Sequence, residues 1–165
     1  MIAVVPPTAS TSPVLDAGSI CRREVVAILE SETVAAAGRL MREQHVGFLV
    51  VTDPPTASGA RKVVGVLTDR DIVVAVVARE GDPRSLKVGE VMTRSPLLVA
   101  ESHSIETVLR FMCDVGARRV PVVGKHDELV GVLSLDDVLE RMAEQLMHIV
   151  GSIRGAQRTE RLVRP

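Results

Sequence analysis

The chain has 165 residues, 46% of them apolar, with Lys+Arg 20 against Asp+Glu 21 and a formal net charge of −1. That is enough chain to bury a real core as one ordinary domain or two very small ones, and the balanced charge exerts no global pull toward nucleic acid or an anionic membrane. Only Phe48 and Phe111 are aromatic, so a platform that stacks bases on several rings, at about 1–3 kcal/mol each, is excluded. Any planar ligand must therefore lie between aliphatic side chains. Cys21 and Cys113 stand apart, with no second Cys or His at metal-finger spacing, and read as reduced thiols. The chain has no Asn, so N-glycosylation is ruled out. The longest apolar run, Ile72 to Ala78, falls far short of the ~20 residues of a membrane span. No basic leader precedes an apolar stretch at the N-terminus, and the expectation is a cytoplasmic protein.

In chain order, residues 1–17 are rich in Pro, Thr and Ser and predict a flexible tail. A short apolar strand, Val25 to Leu29, leads to Ser31 and an amphipathic helix. Two aliphatic strands follow, Phe48 to Val51 and Val63 to Leu67, separated by the Pro/Gly/Ser-rich stretch Asp53 to Ala60. A closing helix starts after Thr68. The same order then recurs, because Glu30-Ser-Glu-Thr-Val falls on Glu101-Ser-His-Ser-Ile at an offset of 71 residues. Beyond the hairpin the offset becomes 66, with Val64-Gly-Val-Leu-Thr-Asp-Arg-Asp on Val130-Gly-Val-Leu-Ser-Leu-Asp-Asp. The second copy reads as strand Leu97 to Val99, then a helix with Ile105, Val108, Leu109 and Met112 on one face. Strands Val120 to Val123 and Leu129 to Leu133 come next, and a closing helix after Ser134. The expected organisation is a tail at 1–17, one unit at 18–80, a second at 84–150, and an Arg-rich tail at 151–165. Each unit is β-α-β-β-α, an α/β fold of the α+β type, and continuous Val runs predict sheets covered on both faces, one by helices and one by the other copy.

A β-α-β-β-α unit ending in Gly-x-Leu-Ser/Thr-x-x-Asp, present twice in tandem, resembles a pair of CBS domains, a Bateman module. The resemblance spans about Gly18 to Val150 and includes Val88-Gly-Glu-Val-Met-Thr-Arg-Ser-Pro96, similar to the family's lead-in, and Arg119-Val-Pro-Val-Val123, similar to its second strand. The first copy departs from the pattern at Ile20-Cys-Arg-Arg-Glu and Phe48-Leu-Val-Val. The resemblance implies two repeats packed through their sheets with pseudo-twofold symmetry. It also implies a regulatory rather than catalytic role and an adenosyl ligand such as AMP, ATP, S-adenosylmethionine or NAD bound between the copies, with no cofactor required.

The repeated motif also has a plain reading. Thr68 and Ser134 cap their helices, and the acids three residues on reach back to the cap amide at the positive end of the helix dipole. The resemblance adds that Asp71 and Asp137 would take ribose hydroxyls, with Thr68 and Ser134 beside them. Phosphates require cations, and Arg118, Arg119 and Arg70 are the candidates, against a reading as solvated arginines. The resemblance builds each pocket from both copies. Asp137 would share a pocket with Cys21, Arg22, Val46, Gly47 and Phe48, and Asp71 with Met92, Thr93, Ala117 and Arg118. Phe48 reads equally as core packing. Cys113, beside Met112, reads as a small buried hydrophobe. His45, His103, His126 and His148 share no helix turn, so no metal site emerges. No P-loop or nucleophile elbow is present. Apolar helix faces predict a homodimer, signalling to an unknown effector protein without membrane or nucleic-acid contact. The alternative is a ligand-free dimerisation or docking module for a partner enzyme or transporter.

Overall fold

The computed structural model describes residues 15–163; the N-terminal tail up to residue 14 lies outside them. Two sheets carry the fold. The first runs β1 (Ala27–Leu29), β2 (Phe48–Thr52), β3 (Val63–Thr68) and β4 (Thr93–Arg94) in that order, the second β5 (Val99–Ala100), β6 (Arg119–Val123) and β7 (Leu129–Ser134). In each, the first strand is parallel to the second, and the second and third form an antiparallel hairpin. A register irregularity falls at equivalent places, Val51/Thr52 and Val122/Val123. The fold is α+β with two sheet-plus-helix repeats.

Helices α1 (Ala17–Ile20) and α4 (Val88–Val91) open the two lead-ins. The long helix of each copy is α2 (Val34–Gln44) or α5 (Ile105–Val115), and the closing helix is α3 (Asp69–Val73) or α6 (Leu135–Val163). Local chemistry sets their ends. Thr33 and Ser104 cap α2 and α5 by accepting from Ala36 N and Thr107 N, at 3.1 and 3.3 Å. Both helices stop on a left-handed residue, His45 (φ 53°) and Gly116 (φ 67°). α3 loosens into a π-helical turn, Val74–Ala78, whereas α6 runs on for 29 residues. The stretch expected as a solvated tail from 151 thus continues α6 to Val163, and its described side chains are exposed.

Each copy has its own aliphatic core. Leu49, Val51, Leu67 and Ala37 are fully buried in one, and Val108, Met112, Val120, Val122 and Leu133 at most 1% exposed in the other. Burying each such Leu or Val is worth about 1.5–3 kcal/mol. Cys113 corrects the sequence reading. It is exposed, because one step past buried Met112 turns about 100° round the helix and off the core face.

The lead-ins cross over. Ala17 is buried in the second copy's core, and Val88 and Met92 in the first copy's. Ala17 N donates to His103 O and Gly18 N to Glu101 O. Reciprocally, Val88 N donates to Glu32 O and Gly89 N to Glu30 O, all at 2.9 Å. These pairs obey the 71-residue offset of the repeat, so the crossover is itself pseudo-twofold.

Candidate functional site

The site grows from the junction of hairpin and closing helix. In the first copy Thr68 Oγ1 accepts from Asp71 N at 3.2 Å, while Asp71 Oδ2 accepts from Thr68 N at 2.9 Å and from Thr68 Oγ1 at 2.7 Å. The second copy repeats this. Asp137 Oδ2 accepts from Ser134 N at 3.0 Å and from Ser134 Oγ, and Ser134 Oγ accepts from Asp137 N at 3.1 Å. Both are capping boxes in which Asp does what Glu usually does, and the box consumes one oxygen of each carboxylate.

The two remaining oxygens differ. Asp71 Oδ1 has no hydrogen-bond or ion-pair partner among the described residues. Asp137 Oδ1 accepts from Arg22 Nε at 2.5 Å. Burial pushes the Asp137 carboxyl up, but the bonds from Ser134 Oγ, Arg22 and the Ser134 amide outweigh it and hold the group below its ordinary value. The same hydrogen bond raises the Arg22 guanidinium.

The glycine in each Gly-x-Leu-Ser/Thr motif has a steric cause. A Cβ on Gly65 would stand 2.5 Å from Met92 Sδ and 3.0 Å from Thr93 O, and one on Gly131 would stand 2.7 Å from Arg22 O and Cys21 Sγ. The crossing lead-in of the opposite copy fills the space that any larger residue needs. It brings Thr93 opposite Val66 and Arg22 opposite Val132. On the neighbouring strand, Phe48 stands opposite Thr68 and Arg119 opposite Ser134.

Two clefts result. One, of about 670 Å³, gathers Thr68, Arg70 and Asp71 from the first copy, Thr93 from the lead-in, and Ala117, Arg118 and Arg119 from the second. Asp69, Gly47, Phe48, Val66 and Pro121 also line it. The other, of about 320 Å³, gathers Arg22, Val46, Gly47 and Phe48 with Arg119, Ser134 and Asp137. Glu24, His45 and Asp136 also line it. All three candidate phosphate-binding arginines therefore meet in the Asp71 cleft, and Gly47, Phe48 and Arg119 border both clefts. Cys21 and Met92 line neither. Met92 is 7% exposed in the first core. Cys21 packs against the second core, its Sγ donating to Gly18 O at 3.6 Å, and burial pushes its thiol up. Each ends its lead-in helix, one residue before the residue, Arg22 or Thr93, that pairs with the hairpin and lines a cleft. Sequence reasoning missed the ion pair of Arg22 with Asp137, which joins residues 115 positions apart.

Among the described residues no group of His, Cys, Asp and Glu is arranged to hold a metal ion, and no helix is long and apolar enough to cross a membrane.

Comparison with known proteins bears on the fold. Hypoxic response protein 1 of Mycobacterium tuberculosis is 34% identical over 128 residues, covering 78% of this chain and 85% of its own. An uncharacterised protein of Methanopyrus kandleri is 27% identical over 123 residues, and there the match spans 74% of this chain but only 60% of the relative. Among solved structures, the cytosolic domain of the Mg2+ channel MgtE in complex with ATP is similar at 32% identity and a TM-score of 0.63. That match covers 76% of this chain and 48% of the channel domain. The CBS domain model matches twice, at residues 17–78 and 88–144, and the chain belongs to the CBS domain family as a tandem pair.

Proposed function

We propose that this chain is a non-catalytic regulatory module that binds a phosphorylated adenosine in the cleft around Asp71, works as a homodimer, and passes its occupancy to a partner protein. The observation that carries this reading is the Asp71 cleft, where a carboxylate with one oxygen unpaired among the described residues lines the same space as Arg70, Arg118 and Arg119. A carboxylate accepting hydroxyl bonds contributes about 1.5–3 kcal/mol per bond, which suits the two hydroxyls of a ribose. Guanidinium groups suit phosphate oxygens. Three of them disfavour S-adenosylmethionine, whose sulfonium is a cation, relative to AMP, ATP or NAD. Val66, Pro121 and Phe48 offer the purine a mostly aliphatic bed. The ATP complex of the similar MgtE domain supports the same ligand class.

Because the cleft takes residues from both copies, a bound nucleotide bridges them and favours one relative arrangement over others. That differential affinity is what a partner would sense. Isothermal titration with ATP, AMP and S-adenosylmethionine tests the reading. Micromolar binding of ATP or AMP, about −8 kcal/mol, is expected, with Asp71→Asn weakening it tenfold or more. No binding below about millimolar would sink it and favour the alternative, a ligand-free docking module, for which the exposed apolar stripe of α6 speaks.

A further inference from the structure

The two clefts are related by the repeat, yet one lead-in residue makes them chemically different. Thr93 stands opposite Val66 on the edge of the first sheet, and its counterpart Arg22 stands opposite Val132 on the edge of the second. Threonine is too short to reach across to the motif carboxylate, and Asp71 Oδ1 is left unpaired among the described residues. Arginine is long enough. Its Nε donates to Asp137 Oδ1 at 2.5 Å and its Nη2 lies 3.8 Å from Glu140 Oε2.

We infer that Arg22 is a built-in occupant of the Asp137 cleft. It holds the oxygen that a ribose would need, so that each chain takes up one adenosine-type ligand, in the Asp71 cleft, rather than two. Asp137 already accepts three hydrogen bonds, two on the cap oxygen and one from Arg22 on the other, so of the roughly four acceptor sites of a carboxylate one remains, too few for both hydroxyls of a diol. The Arg22 main chain is bonded in both directions to Val132, at 2.9 Å each, so only the side chain can withdraw. Charge reinforces the difference. The Asp137 cleft sets Arg22 and Arg119 against Glu24, Asp136 and Asp137, whereas the Asp71 cleft sets Arg70, Arg118 and Arg119 against Asp69 and Asp71. A ligand reaching Asp137 would displace an ion pair and then meet a surplus of carboxylates.

The inference rests on the reading that Asp71 and Asp137 are ribose acceptors, and its test separates the two. Equilibrium dialysis with radiolabelled adenosine, which carries the ribose without phosphate charge, counts sites per chain. One site is expected in the wild-type chain and two in Arg22→Thr, which copies the residue found at the equivalent position. Asp71→Asn should bind none, and Asp71→Asn with Arg22→Thr should regain one, which Asp137→Asn then removes. Two sites in the wild-type chain, or no gain on Arg22→Thr in either background while it melts as a folded protein, overturns the role of Arg22 and leaves the Asp71 reading standing. If the wild-type chain binds neither adenosine nor ATP, the Asp71 reading fails. Arg22→Thr then still decides the inference, a gained site supporting it and none refuting it.

Discussion

Asp71 and Asp137 each hold a helix start with one oxygen, and what the other oxygen meets separates the copies. In Asp137 that oxygen meets Arg22, and the group is ionised below its ordinary range despite being 8% exposed. The sign of the linkage follows. A carboxyl whose folded pKa is depressed adds stability that is complete above its unfolded value, about 3.9, and loses it as pH falls toward the folded value. Asp137→Asn should therefore melt below the wild-type chain at pH 7, and the gap should narrow between about pH 5 and pH 3. A calorimetric series over that range measures it, and a gap that widens on acidification would contradict the assignment. The hydroxyl and the acid of each capping box are visible in the sequence because they are three residues apart. The resemblance put Arg22 in the pocket of Asp137, but not the ion pair between them, because a contact across 115 positions leaves no local pattern.

At the scale of the element, α6 has the most unexplained surface. Leu139, Met142, Leu146, Ile149 and Ile153 recur at alternating steps of three and four and are 51–63% exposed. That is the a/d seam of a coiled coil. The positions flanking it, Ala143, Gln145, Val150 and Ser152, are uncharged, so two identical helices meet there without like-charge repulsion. Each seam residue has on the order of 100 Å² to bury, so the five with Val150 offer roughly 550 Å², the larger part of the roughly 800 Å² per partner of a standard interface. The homodimer we propose uses this seam. Leu146→Glu with Ile149→Glu should convert dimer to monomer in analytical ultracentrifugation while leaving the melting temperature of the monomeric unit little changed, since neither side chain is buried in a core. A wild-type monomer at micromolar concentration would rule the seam out as a dimer contact. The stripe was legible from spacing alone, but its exposure was not, because a buried helix shows the same period.

At the scale of the whole molecule, the crossing lead-ins tie the copies together. The first residues after the N-terminal tail complete the second core through Ala17 and pair with β7 through Arg22, and the second lead-in completes the first core. A chain beginning at Glu24 should consequently lose hydrogen-exchange protection in β7 and at the start of α5 more than in β2 and β3, although the deletion adjoins the first copy. Losing the buried Ala17 and its backbone bonds should cost about 2–3 kcal/mol, or roughly 5–10 °C for a protein of this size. Equal loss in both copies would speak against separate cores. The sequence by itself determined the two repeats, their element order and the caps of the closing helices, because all of these rest on spacings within one element or on identity between copies. Only the tertiary structure decided that Gly65 and Gly131 admit the crossing lead-ins and that Cys21 and Met92 turn into cores. It also decided that three arginines line the cleft of Asp71 while a fourth pairs with Asp137. Those outcomes depend on which distant side chain reaches a given oxygen or fills a given space, and chain distance carries no record of that.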